Sequence, residues 1–191
     1  MDDIYKSLCL NNSDINEHLP TLYNYATDCE SILECGVRNL IASWAFLYGL
    51  SNNNKVNKKL ILNDTIEYDI TELLSQGVNI ESYWINDLEL NIDPVDLTFI
   101  DTWHVYGQLK RELNKFKLIT NKYIIIHYTS ISPKYGNNKY QDLINCGFSI
   151  EEIKKGIWPA IEEFLNNNQN WVLHERFTNN NGLTVLKKIN T

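Results

Sequence analysis

The sequence predicts an α/β protein: a parallel sheet with helices on both faces and an antiparallel hairpin closing one edge. Three observations predict it. Short apolar runs ending in acids or amides alternate with helical patterns along the chain. One such run, KYIIIHY from Lys122 to Tyr128, is continuous and β-branched, as suits a strand covered on both faces. The chain closes with two strand-like runs, NWVLHERF and LTVLKKI, separated by TNNNG, whose asparagines and Gly182 supply the positive φ of a tight turn.

Taken in order, MDDIYKSLCL reads as a frayed start. Ser13 or Asp14 then caps a segment in which Ile15, Leu19, Leu22 and Tyr25 or Ala26 recur at helical spacing, with Pro20 as a kink or as a first-turn proline. SILECG is a strand closed by Gly36. Asn39 caps LIASWAFLYG, a helix apolar nearly all round and therefore buried, with Gly49 as a left-handed stop. The polar SNNNKVNK leads to KLILND, a strand ending in Asp64, and then to a helix near DITELLSQG stopped by Gly77. NIESYWIND, the third strand, ends at Asn86 and Asp87, and the fourth, DLTFID, ends at Asp101. In the helix that His104 opens, Val105, Leu109, Leu113 and Phe116 form an apolar stripe, with Gln108, Lys110, Arg111 and Glu112 outside it. Beyond the fifth strand, Ser149 and Glu152 make a capping box for SIEEIKK, and Pro159 restarts a helix, WPAIEEFLNN. No linker, repeat or composition shift divides the chain. The expectation is one domain over 1–191, an N-terminal helical segment (1–30) on an α/β core (31–191).

Composition narrows the function. A net charge of −7, with the lysine pairs offset by nearby acids, argues against a nucleic-acid surface. No apolar run approaches the ~20 residues of a membrane span, and the acidic N-terminus is unlike a secretory signal, so a soluble cytoplasmic protein is expected. Cys9, Cys29, Cys35 and Cys146 form no CxxC pair and read as free thiols. The triple asparagines read as loops and turns.

In an open parallel sheet, ligands bind beyond the carboxyl ends of the strands. Four polar ends are expected on that rim: Glu34 with Gly36, then Asp64, then Asn86 with Asp87, then Asp101 with His104. Gly36 lets a ligand approach the backbone, and the helix start after it offers amide donors. A carboxylate at Asp64 can take both hydroxyls of a ribose, and an acid or amide after the third strand can read an adenine amino group. His104, with a reference pKa near ~6.5, is the best general base, and Asp101 is placed to orient it. Tyr106 and Tyr128 are candidate acceptor contacts. His127 and His174 lie in strands and read as structural; Trp158, Trp171 and Phe177 read as core.

The order ECGVR, an acid after the second strand, ND after the third, FIDTWHVYGQLKREL and a terminal hairpin resembles class I S-adenosylmethionine-dependent methyltransferases. It is most similar to a branch of small-molecule and sugar O-methyltransferases, and the resemblance covers nearly the whole chain. It implies a Rossmann-like class I methyltransferase fold, S-adenosylmethionine as cofactor and a small-molecule or sugar acceptor. It also implies that Glu34, Gly36, Asp64, Asp87 and Asp101 contact the cofactor, and that Asp101 and His104 serve the reacting end. Two departures stand out. The loop ECGVRNL has one glycine where ExGxGxG is usual. HYT replaces an HDT whose acid helps bind a metal in relatives, and because one carboxylate is a poor Mg²⁺ site, no metal is expected. A dinucleotide oxidoreductase would need GxGxxG, which is absent. A fold member that binds without turnover is the alternative reading.

Overall fold

The computed structural model describes residues 1–130 and 137–189. The strands are β1 (Ser31–Cys35), β2 (Lys59–Asn63), β3 (Asn79–Tyr83), β4 (Val95–Ile100), β5 (Thr120–His127), β6 (Trp171–Phe177) and β7 (Leu183–Lys188). They form one seven-stranded sheet ordered β3-β2-β1-β4-β5-β7-β6. β1 to β5 run parallel, and β7 lies antiparallel between β5 and β6. The strand order reverses at β1, with β2 on one side and β4 on the other, and this is where an open α/β sheet leaves a crevice.

The helices are α1 (Asp2–Leu10), α2 (Leu19–Thr27), α3 (Ile41–Ser51), α4 (Thr71–Leu74), α5 (Tyr106–Phe116), α6 (Asn137–Asn145), α7 (Ile150–Lys154) and α8 (Trp158–Asn167). Strand side chains alternate between two cores, as period 2 requires. Ile32, Leu60, Leu62 and Ile125 face α2 and α3; Leu33, Ile61, Ile124 and Ile126 face α5 and α8. The predicted α5 stripe of Val105, Leu109, Leu113 and Phe116 is buried. Covering a side chain of this size stabilises by about 1.5–3 kcal/mol each.

Several elements differ from expectation. Residues 2–10 are not frayed: Asp2 and Asp3 occupy the first turn of α1, Lys6 pairs with Asp2 at 2.7 Å, and the Tyr5 ring packs on Tyr23 and Tyr48. The helix α6 has no counterpart in the sequence reading. Asn39 does not cap α3; the cap position is Leu40, in the left-handed region at φ 57°, with no side-chain cap bond. Gly49 is not a stop but an interior residue of α3, where a Cβ would lie 2.5 Å from the Ala26 methyl and 2.6 Å from the Tyr23 carbonyl oxygen. The glycine there serves the close approach of α2 and α3. Pro20 stands in the first turn of α2, after a 3₁₀ turn at Asn16–His18. The hairpin turn has Asn180, Asn181 and Gly182 at positive φ, as TNNNG predicts.

Gly49→Ala tests this packing. The new methyl must push two backbones apart, so the variant should lose about 1–3 kcal/mol in denaturant unfolding despite the better helix propensity of alanine. A gain in stability would show that α2 and α3 yield without cost.

Candidate active site

The register fixes the rim. Cys35 pairs with both Asn63 and Ile100, so Gly36, Asp64 and Asp101 leave the sheet at one level. Backbone bonds continue past the strands, from Gly36 N–H to the Asn63 carbonyl at 2.8 Å and from Asp101 N–H to the Cys35 carbonyl at 2.9 Å. Above them opens a cleft of about 670 Å³. Gly36, Asp64, Asn86, Asp87, Asp101 and His104 all line it. Gly36 sits at φ +87°, and a Cβ on it would overlap the Asp101 carbonyl, so the loop crosses the β4 end as bare backbone.

Asp64 is tied to this loop. Its Oδ2 accepts from the amides of Val37 at 3.1 Å and Arg38 at 3.4 Å, and its Oδ1 accepts from Ile66 N–H at 3.1 Å. The bulky residues that replace glycines turn aside: Val37 is buried in the core, and Arg38 reaches to Asp14 at 2.5 Å. Next to Asp64, Tyr68, Ile85 and Leu88 give the cleft an apolar wall, and Asn63 steadies it by donating to the Tyr83 and Ile85 carbonyls, both at 2.9 Å.

Two acids lie deeper. Glu34 is fully buried on the α3 face, outside the cleft lining, with the Ser43 hydroxyl as its polar neighbour. Burial pushes its carboxyl well above the usual range. Asp87 is buried at the cleft floor against Glu112, which the sequence reading left outside the α5 stripe. Gln108, also buried, donates to Asp87 Oδ1 at 3.1 Å and to Glu112 Oε1 at 2.8 Å, and the Thr102 hydroxyl donates to the same Glu112 oxygen. The remaining oxygens, Asp87 Oδ2 and Glu112 Oε2, are buried without a donor among the described residues. One proton shared by the two carboxyls satisfies both. Burial raises both acids, Glu112 the more strongly.

At the β4 end, Asp101 Oδ1 accepts from two rings, His104 Nε2 at 3.0 Å and His127 Nδ1 at 3.1 Å. Burial works against the Asp101 charge, but these two bonds outweigh it and hold the carboxyl well below its usual range. His104 precedes α5, which starts at Tyr106, and stacks on Tyr128 with ring centres 4.0 Å apart. Tyr128, at φ 62°, donates to Asp14 Oδ2 at 3.2 Å. Tyr106 lies elsewhere: its hydroxyl is hydrogen-bonded to Glu163 on α8 and accepts from Lys110, away from the cleft. Trp103, Arg111, Cys146 and Phe148, none of them singled out as site residues by sequence, complete the outer wall.

No protein-family model and no curated protein matches the chain. Solved structures do. The O-methyltransferase TomG from Streptomyces achromogenes, involved in tomaymycin synthesis and solved with S-adenosylmethionine, aligns at a TM-score of 0.62 and 12% identity, over 95% of this chain and 82% of that one. This chain has the class I methyltransferase fold. An O-methyltransferase from Bacillus cereus in complex with S-adenosylhomocysteine aligns at 0.58 and 12% identity, over 90% and 80% of the two chains. In this methyltransferase fold the cleft lies over the ends of β1, β2, β3 and β4.

The acid pair makes a testable claim. The folded Asp87–Glu112 pair keeps a proton that unfolded carboxyls release above pH ~4.3, so the folded state binds more protons and stability falls as pH rises from there. Glu112→Gln supplies an amide donor in place of that proton. Its melting temperature relative to wild type should therefore climb between about pH 5 and 8. Glu112→Ala, which strands Gln108 and Thr102 beside a cavity, should lose about 2–4 kcal/mol. A pH-independent difference for the Gln variant would exclude the shared proton.

Proposed function

We propose that this protein is an S-adenosylmethionine-dependent methyltransferase acting on a hydroxyl of a small molecule or sugar in the cytoplasm. The observation that carries the reading is the Asp101–His104 hydrogen bond at 3.0 Å, on the same rim as the bare backbone at Gly36. The residues present fit the cofactor. The cleft is large enough for a nucleoside, its Tyr68, Ile85 and Leu88 wall suits a base, Asp87 closes the floor, and Asp64 stands where a ribose would lie. When bound, S-adenosylmethionine supplies an electrophilic methyl group.

The chain's own part is binding, orientation and one proton. Gly36 and Asp64 hold the ribose side, and Asp87 with Asn86 holds the base. Asp101 accepts from His104 Nε2, which fixes the tautomer that takes up a proton at Nδ1. That ring is placed to remove the hydroxyl proton of an acceptor resting against the rim. Stacking on Tyr128 and the Tyr128–Asp14 bond keep it there, so both groups contribute to the position from which rate derives. Trp103 and Phe148 give the acceptor an aromatic wall. The acidic balance of −7 supports a small acceptor over nucleic acid, and among the described residues no helix is long and apolar enough to cross a membrane.

One observation favours a second reading, binding without turnover: the oxygens of Asp64 are already engaged by three backbone amides. Ligand binding and turnover separate the two. S-adenosylhomocysteine at a hundred times its Kd should stabilise by about 2.7 kcal/mol, seen as a raised melting temperature, while NAD should have no effect. Asp64→Ala should weaken that binding by about 1.5–3 kcal/mol in calorimetry. His104→Ala should retain binding and lose roughly 10²–10⁴-fold in transfer. Absence of any shift with S-adenosylmethionine or S-adenosylhomocysteine overturns both readings; a shift without transfer to any hydroxyl acceptor leaves the second.

A further inference from the structure

We infer that His127 is a positively charged imidazolium in the folded protein and acts as a positioning residue, balancing the Asp101 carboxylate so that His104 is held as its second hydrogen-bond donor. The argument is geometric. His127 is fully buried, and both ring nitrogens meet oxygens: Nδ1 lies 3.1 Å from Asp101 Oδ1, and Nε2 lies 3.3 Å from the Asn180 carbonyl. A carbonyl oxygen only accepts, and so does an ionised carboxylate. A neutral ring has one N–H and would turn a lone pair toward one of the two oxygens. Only the doubly protonated ring satisfies both.

The surroundings assign the charge to this ring rather than to its neighbours. His18, from the 3₁₀ turn, meets His127 edge-on at 5.8 Å, and its Nε2 is shared between the Asn179 and Asn180 carbonyls at 3.1 and 3.2 Å. Burial and the nearby His127 charge push His18 down, so it stays neutral. Asp14, across the rim, is compensated by Arg38 and accepts from Tyr128, whose ring lies edge-on to His127 at 4.8 Å. For His127 burial opposes the charge, but the bond to Asp101 prevails and raises it. The consequence lies at Asp101: its Oδ1 is pinned by a buried cation, so the oxygen that receives His104 does not move.

The effect on catalysis rests on the proposed methyl transfer, whereas the charge state of His127 does not, and the experiment separates them. Nitrogen-15 NMR of the histidine rings in the full chain should show both His127 nitrogens protonated at pH 7, with a midpoint above the ~6.5 of an ordinary histidine. In Asp101→Asn that midpoint should fall by more than a unit, since burial then favours the neutral ring. A single protonated nitrogen in wild type at pH 7 overturns the proposal without need of any variant. In His127→Gln the positive charge that balances Asp101 is removed. The acid limb of the pH–rate profile should then move to higher pH by about one unit, which mere loosening of the fold would not do. An unmoved limb refutes the positioning role. A charged His127 in a protein with no transfer activity refutes the proposed reaction and leaves the imidazolium standing.

Discussion

The pairing of Cys35 with Asn63 on one side and Ile100 on the other is the constraint from which the site follows. Parallel strands leave a sheet in the same direction, so three strands locked at one level must place their next residues at one level too. Gly36, Asp64 and Asp101 are those residues. The loop after β1 then has no room for a side chain, because the Asp101 carbonyl lies where a Cβ would be. The same loop presents the amides of Val37 and Arg38 to Asp64. One register thus produces the bare backbone, the acid beside it and the acid opposite.

Charge in the site is arranged by proton count rather than by exposure to water. On one side, Asp87 and Glu112 share the Gln108 amide, and the one oxygen of each that it leaves without a donor among the described residues is satisfied by a single shared proton. On the other, Asp101 accepts from two imidazoles and keeps its charge despite burial. The partner decides the outcome: a carboxyl facing a carboxyl is driven neutral, and a carboxyl facing ring N–H donors is driven ionised. The cleft therefore runs from a protonated floor beside Tyr68, Ile85 and Leu88 to an ionised, compensated pair at the rim.

The sheet and its rim were legible in the sequence because strand ends are local: an apolar run that stops in an acid names both the strand and the residue it delivers. What was not legible depends on contacts between distant segments. Gly49 looks like a stop because nothing in LIASWAFLYG reveals Ala26 pressed against it. Glu112 looks exposed because the apolar stripe covers only part of the buried face of α5, and its partner Asp87 lies 25 residues upstream. Tyr106 looks like an acceptor contact from its place near His104, yet helix rotation carries its hydroxyl to Glu163. His127 looks structural from its strand, but no pattern shows that a buried ring will face acceptors on both sides. The missing signal is the hydrogen-bond inventory, which a sequence carries only after the fold has paired it.

The asparagine turn shows how far such pairing reaches. Asn180, Asn181 and Gly182 adopt positive φ, as a tight hairpin demands, and that conformation points the side chains of Asn179, Asn180 and Asn181 at the segment between α1 and α2. Asn180 Nδ2 donates to the Ser13 carbonyl and Asn181 Nδ2 to the Asp14 carbonyl, each at 3.0 Å, while the backbone carbonyls of Asn179 and Asn180 accept from His18. A turn near the end of the chain thereby fixes Asp14 near its beginning, and Asp14 in turn holds Arg38 and the Tyr128 hydroxyl. The Asn180 carbonyl belongs to the same clasp and is the second acceptor of His127. The Asp101–His104 end of the cleft is therefore closed by the terminal hairpin acting through the N-terminal segment. The hairpin completes the sheet, and it also supplies the oxygen that obliges a buried histidine to carry a charge.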